Sequence, residues 1–365
     1  MMKKKKCVFL VSSLDAGGAE TYLLRFLAFS ESTIDPIVIT KAGKKGALLS
    51  EYEKYTSKIL TVNSGYLSLI AWFELFKIIK KEKPSSICDF TGNFAGIPLL
   101  IGRLLKVPTR IAFYRRSSNA FKETVFNLAY NSLMNRLVLY SATRILANSY
   151  AGLSFFFKEK QNDSRMQVIR NGIDIELFKA RATKEELRAH FQIRSDCFVI
   201  GHTGRLNSAK NHETLIAVAA ELKKAGFDFQ LVLCGKDTDK LLDNLPDSLT
   251  KSDVISLGYQ TVIPDVLKTF DFYFFPSVTE GMPNALMEAM VSGLPFVASN
   301  IASIKEIVPV QNHSQLFEPT DVQAFSTFFK GIFLNNDSIQ SMSCESFAKE
   351  QYNNELQFSA FLREI

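Results

Sequence analysis

Short apolar runs alternate with longer helical patterns along this chain, first in one series and then in a second. In the first series the runs at 7–13, 36–40, 58–62, 85–89, 109–113 and 143–148 read as strands. The patterns at 19–29, 66–82, 93–105 and 119–141 read as amphipathic helices between them. The second series has strands at 197–203, 229–234, 254–258, 271–276, 295–299 and 315–318, with helices at 210–225, 261–269, 283–292 and 320–333. Strands that are apolar throughout need cover on both faces, and helices between successive strands supply it. The pattern therefore predicts an α/β chain with two doubly wound, Rossmann-like parallel sheets. At 365 residues the chain exceeds one ordinary core. The Asn171-Gly172 turn signal after Val168-Ile169-Arg170 marks the boundary, giving domains of 1–170 and 171–336.

Composition narrows the function. Five cysteines, odd in number and without C-x-x-C spacing, argue against a disulfide frame or a zinc site. The basic start, Met-Met-Lys-Lys-Lys-Lys before Cys7 to Val11, reads as the lead into a buried strand, since its apolar stretch is too short for a signal peptide. No run reaches the roughly 18 apolar residues of a membrane span. Tyr66 to Ile79 comes nearest and is broken by Glu74 and Lys77. Residues 1–165 carry a net charge of +13 and the remainder −7. A basic half suits an anionic partner. With no nucleic-acid-binding motif in sight, an anionic membrane surface or a lipid pyrophosphate fits best.

In an open parallel sheet, ligands bind beyond the carboxyl ends of the strands, so the segments after strands carry the chemistry. Ser277 to Ala289, S-V-T-E-G-M-P-N-A-L-M-E-A, follows the strand at 271–276 and opens a helix. It sets Glu280 in a loop and Glu288 about two turns into the helix. Gly281, Met282, Asn284 and Ala285 surround the helix N-terminus, which attracts phosphate. Phosphate beside two carboxylates able to hold hydroxyls describes a nucleotide sugar. After the first strand of the second series comes Gly204-Arg205-Leu206-Asn207-Ser208-Ala209-Lys210, whose Arg205 and Lys210 can converge on a diphosphate. After the very first strand, Asp15-Ala16-Gly17-Gly18-Ala19-Glu20 offers two glycines whose amides can approach a ligand closely. Asp237-Thr238-Asp239 has the look of a metal–nucleotide motif, but aspartates at a helix start are read here as caps. No His, Cys and Asp cluster offers a metal site. His190, His212 and His313 read as structural, and His202, beside Gly204, as a residue that could line the ligand crevice.

These segments resemble the family-4 retaining glycosyltransferases of GT-B fold, of the type that builds bacterial polysaccharides and lipid-linked glycans. The match covers most of residues 5–320 and is strongest over 200–310. It includes N-G-I-D with Phe178 at the domain junction, and Leu257-Gly258-Tyr259 where the family cups the nucleobase. The resemblance implies two doubly wound domains facing across a cleft, an N-terminal one for acceptor and a C-terminal one for donor. The closing segment, about 337–365, is expected to return to the first domain. It implies a metal-independent, retaining hexosyltransferase that uses a nucleoside-diphosphate sugar, with uridine the expected base, as substrate and needs no cofactor. Glu280, Arg205 and Lys210 take catalytic roles. Gly17, Gly18, Gly258, Tyr259, Gly281, Met282, Asn284, Ala285 and Glu288 bind the donor. A glycan or polyprenyl-pyrophosphate-linked acceptor is expected, at the cytoplasmic face of the cell membrane. Where the family often has an acceptor-side histidine, this chain has Arg115 and Arg116, which could bind an acceptor phosphate. A nucleotide-sugar epimerase of the same fold and an inactive homologue serving as a binding subunit are the alternatives.

Overall fold

The computed structural model describes residues 4–365 apart from 16, 57, 64–67, 120–121, 159–162, 180–181 and 335–338. The chain divides into two units, Met1–Asn171 together with Glu355–Ile365, and Gly172–Asn354.

The first unit is built on a seven-stranded parallel sheet in the order β3-β2-β1-β4-β5-β6-β7. Its strands are β1 (Lys5–Val11), β2 (Ile34–Thr40), β3 (Ile59–Thr61), β4 (Ser86–Asp89), β5 (Thr109–Tyr114), β6 (Arg144–Ala147) and β7 (Met166–Val168). The helices are α1 (Gly18–Phe29), α2 (Leu49–Tyr52), α3 (Leu69–Glu82), α4 (Gly96–Leu104), α5 (Val125–Ser141) and α6 (Tyr150–Phe156). Successive side chains of β1 point to opposite faces. Val8 and Leu10 pack with Leu75, Ile79, Leu99 and Val138 of α3, α4 and α5. Cys7, Phe9 and Val11 pack with Leu23 and Phe26 of α1 and with Phe358 and Phe361 from the end of the chain. Helix α5 starts at Val125, not near 119, because the Thr124 hydroxyl accepts from the Asn127 N–H and caps it there.

The second unit has a six-stranded parallel sheet in the order β10-β9-β8-β11-β12-β13. Its strands are β8 (Phe198–Thr203), β9 (Phe229–Cys234), β10 (Val254–Ser256), β11 (Phe272–Phe275), β12 (Phe296–Ser299) and β13 (Leu316–Phe317). Its helices are α7 (Lys184–His190), α8 (His212–Lys224), α9 (Ile263–Lys268), α10 (Asn284–Val291), α11 (Ala302–Lys305), α12 (Val322–Leu334) and α13 (Glu345–Gln351). Phe272 and Phe274 meet Phe325 and Phe329 of α12 on one face, while Tyr273 and Phe275 meet Met287 and Met290 of α10 on the other.

The closing segment behaves as two pieces. Helix α13 and Tyr352 stay with the second unit, where Ala348 and Tyr352 are buried and the Tyr352 hydroxyl donates to the Ile307 carbonyl at 2.5 Å. Helix α14 (Asn354–Arg363) closes the first unit's core, with Phe361 4.5 Å from Phe26 ring to ring and Arg144 paired with Glu364 at 2.7 Å. In both sheets the order reverses beside the first strand, between β1 and β4 and between β8 and β11. Such reversals open a crevice at the strand ends, so the loops after these four strands are where ligands bind.

Candidate functional site

In the second unit the loops after β8 and β11 are stitched side by side. The Asn207 side chain accepts from the Lys210 N–H at 3.0 Å and shapes the turn Ser208–Lys210. Asn211, at φ +54°, donates through Nδ2 to the carbonyls of Pro276 (3.1 Å) and Pro319 (2.8 Å). The Val278 N–H donates to the Ala209 carbonyl at 2.9 Å. Asparagine tolerates the left-handed conformation better than most residues, which is the one sequence signal that marks Asn211. Sequence reasoning passed over both asparagines.

This stitching brings Lys210 to Glu280. The Nζ donates to Oε1 at 2.7 Å, with the side chains 18% and 13% exposed, and lies 4.7 Å from the centre of the Phe275 ring. Arg205 is exposed and makes no side-chain hydrogen bond among the described residues. Past Glu280, Gly281 is half-buried, Met282 is buried, and α10 begins at Asn284 with no side-chain cap. Its start turns the positive end of the helix dipole toward the loop that carries Glu280. Asn284, Ala285 and Glu288 are half-buried, the last one turn beyond Asn284 on the same helix face. Burial pushes the Tyr273 phenol well up, and the charges of Glu288 and Glu280 add to the shift.

The loops after β9 and β10 press against the same place. The Gly204 N–H donates to the Cys234 carbonyl and the Gly235 N–H to Gly258, each at 2.8 Å. A Cβ on Gly235 would lie 2.1 Å from the Gly204 carbonyl oxygen, so only glycine allows this approach. Gly258 adopts φ +61° and presents Tyr259, which is 71% exposed.

Two sequence readings change here. His202 does not line a crevice. It is fully buried within β8, with Nδ1 2.9 Å from the Phe274 carbonyl and its ring edge-on to His212 at 5.0 Å. Burial holds both rings neutral, pushing His202 well below the usual histidine range and His212 down to about 4. Asp237 is not a side-chain cap, because at φ +65° its carboxylate turns to Lys240 at 2.8 Å instead of the helix amides. Among the described residues no group of three or more His, Cys, Asp or Glu comes together as a metal site.

In the first unit Gly17 holds the cap position of α1, and the space a Cβ on Gly18 would enter is open. The Arg115 guanidinium lies 3.7 Å from the centre of the Tyr22 ring and 5.0 Å from that of Phe113. Its Nε and Nη1 are shut off from solvent and find no acceptor among the described residues. Burial lowers its pKa to about 10, which still leaves it charged at neutral pH. Arg116 is exposed. Burial raises the half-buried Glu20 carboxyl against the pull of Arg116 and Arg115.

The family model described as "Glycosyl transferases group 1" matches residues 197–332. Over 309 residues the chain is 31% identical to EpsF of Bacillus subtilis, provisionally named a glycosyltransferase, covering 81% of this chain and 79% of that one. It is 27% identical over 271 residues to the UDP-Gal:alpha-D-GlcNAc-diphosphoundecaprenol alpha-1,3-galactosyltransferase of Escherichia coli, covering 69% and 67%. The crystal structure of Anabaena HepE with UDP superposes with a TM-score of 0.84 at 18% identity, covering 98% of both chains. WaaG, a glycosyltransferase of lipopolysaccharide biosynthesis, gives a TM-score of 0.75 at 14% identity, covering 97% and 98%.

Proposed function

The chain belongs to the group 1 glycosyl transferases and has the GT-B fold, and from that premise we propose how its parts divide the work. It transfers a sugar from a nucleotide-sugar donor to a glycan or lipid-linked acceptor in cell-surface polysaccharide synthesis. The observation that carries the assignment of roles is the Lys210–Glu280 contact beside the uncapped start of α10.

An ammonium group has three N–H donors, and Glu280 takes one of those on Lys210. The others are left for the departing diphosphate, which Arg205 also reaches as a fork and the first amides of α10 as a dipole. Positive charge fixed in place before reaction stabilises the leaving group with no divalent cation. Glu280, already held by a lysine, suits gripping sugar hydroxyls better than attacking the anomeric carbon. Transfer then proceeds with retention and without a covalent enzyme intermediate. Glu288 takes the ribose, and Gly258 and Tyr259 cup the base. HepE was solved with UDP, and we extend that base to this chain. A thermal-shift comparison of UDP, GDP and ADP tests it, since a ligand at 100 times its Kd adds about 2.7 kcal/mol. A larger shift with GDP or ADP than with UDP would overturn the base assignment. Turnover should survive excess EDTA. A loss on chelation that manganese or magnesium restores would overturn the metal-free mechanism.

On the acceptor side, Arg115 has donors without acceptors and stands at the end of β5 with Arg116 next to it. The exposed Arg116, with the charge of the more buried Arg115 beside it, suits a phosphate on the acceptor, as in the diphosphoundecaprenol-linked substrate that names the E. coli relative. At the ends of the same sheet the space beside Gly18 is open for an anion to approach, while the Glu20 carboxylate lies against Gly17.

The first unit also suits contact with an anionic membrane. No helix among the described residues is long and apolar enough to cross one. Along α3, Trp72 and Phe76 are partly buried against the core. Leu69, Ile70 and Phe73 remain 82%, 76% and 58% exposed, and Lys77 lies 4.3 Å from the centre of the Phe73 ring. Val125 and Phe126 at the start of α5, in the same helical layer, are 87% and 65% exposed. Apolar tips among lysines can settle into a headgroup layer.

A further inference from the structure

We infer that the groove between α5 and α6 is a second carbohydrate site, built for a sugar that bears a negative charge. The groove encloses about 560 Å³, within the range of small-ligand pockets. It is formed within the first unit and shares no residue with the Lys210–Glu280 site. Helix α5 presents Asn131, Asn135 and Arg136 to it, the loop after β5 supplies Asn119, and the end of α6 supplies Phe155 and Lys158.

The chemistry of this lining is specific. The Asn119 Nδ2 donates to Glu123 at 2.9 Å, which fixes its amide and leaves its Oδ1 buried without a donor. The Oδ1 of Asn131 is likewise buried and finds no donor among the described residues. On Asn135 the Oδ1 accepts from the Tyr114 hydroxyl at 2.9 Å, so the amide nitrogen remains to donate. Buried acceptors lacking a donor are rare in folded proteins and call for a partner. A sugar supplies hydroxyls to the two acceptors and takes the amide N–H on a third oxygen. The Phe155 ring, 39% exposed, offers an apolar surface to the C–H face of a sugar ring. Arg136 and Lys158 are both exposed cations at the groove and call for an anion, either a phosphate or a carboxylate. A negative group on the sugar would add ion pairs to these two cations that a neutral glycan cannot make, and a bare phosphate would leave the asparagine acceptors without donors.

The inference deepens the acceptor side of the function proposed above, because the groove opens four residues beyond Arg115. Saturation-transfer NMR on the full chain tests it, with glucose 1-phosphate, glucuronate, glucose and inorganic phosphate as probes. The measurement is repeated in Lys210→Ala so that the donor site cannot supply the signal. Glucose 1-phosphate or glucuronate should bind, the stronger of the two showing whether a sugar phosphate or an acidic sugar is the natural ligand. The exposed double substitution Arg136→Glu with Lys158→Glu should weaken that binding at least tenfold, and Asn131→Leu should weaken it with the charges intact. No saturation transfer to either anionic sugar, leaving the groove with water alone, would overturn the site. So would unchanged binding in the double variant, or inorganic phosphate binding as tightly as the sugar phosphate. If the wild-type chain shows no transferase turnover yet binds the probes here, the functional reading fails and the groove stands. If turnover is normal and probe binding ignores both variants, the groove alone fails.

Discussion

Each unit holds a lysine–carboxylate pair at its strand ends, and the two pairs are finished differently. In the first unit the Lys41 Nζ donates to Asp89 (2.9 Å), to the Thr91 hydroxyl (2.7 Å) and to the Phe94 carbonyl (2.9 Å). Asp89 is fully buried and accepts in addition from the Thr91 N–H and hydroxyl. All three ammonium donors are used within the fold, so this pair fastens β2 to β4 and has nothing left for a ligand. In the second unit Lys210 gives one hydrogen bond, to Glu280, in a partly open setting. Donor capacity left over at a strand-order reversal distinguishes a site from a brace.

The comparison breaks first on stability. Lys41→Met leaves Asp89 buried without its cation, which costs about 3–5 kcal/mol. Urea unfolding should show that loss, and adding Asp89→Asn should recover part of it. A Lys41→Met protein as stable as wild type would mean that the pair is not a brace.

Lys210→Ala should leave the unfolding midpoint nearly unmoved, because water can reach Glu280. It should cut kcat by roughly 10²-fold, about 2.7 kcal/mol of transition-state stabilisation. Arg205→Ala should act in the same direction. Full turnover in both variants would remove the second pair from the chemistry and erase the contrast with the first.

How much of this contrast could be read from the chain alone depended on the residue. Lys210 and Glu280 stand seventy positions apart, yet both follow apolar strands, so a doubly wound sheet had to bring their loops to one edge. His202 lies inside the apolar run 197–203, where its burial was legible, against the crevice position that neighbouring Gly204 left open. On α3 nearly every position from 69 to 79 is apolar, so periodicity could not choose a buried face. Packing against the sheet chose Ala71, Leu75 and Ile79. The stacking of Arg115 on Tyr22 joins residues from two strand–helix units and left no local signal. The closing segment looked like one helical stretch and splits at Asn353-Asn354, because Tyr352 and Phe358 belong to different cores.

Glycines sharpen the comparison at a smaller scale. Gly235→Ala drives a methyl group into the Gly204 backbone and should cost about 1–3 kcal/mol, since neither loop can yield without disturbing the other. Gly18→Ala meets open space and should change stability by less than about 0.5 kcal/mol. If the Gly18 amide faces an anion in turnover, that variant should still lose activity. Equal stability losses in the two would show that the second unit's loops are no more tightly stitched than the first's.

The smallest effects concern the surfaces, where the two units differ in sign. The first carries a net charge of +13 and the second −7. If the first unit rests on anionic lipid through α3, partitioning onto phosphatidylglycerol vesicles should exceed that onto neutral phosphatidylcholine. It should also fall with salt, because charge–surface attraction is screened within about 8 Å at physiological ionic strength. Each lysine near such a surface adds roughly fivefold to partitioning, so Lys77→Ala, Lys80→Ala and Lys81→Ala should each cost about that factor in co-sedimentation. Lysines of the second unit, such as Lys240 and Lys251, should cost nothing when replaced. Ser in place of Leu69 and Ile70 should weaken binding to both kinds of vesicle, because the apolar contribution does not depend on headgroup charge. Equal recovery on neutral and anionic vesicles, unaffected by salt, would leave the charge division between the units without a membrane role, and Lys77 would then serve only the Phe73 ring beneath it.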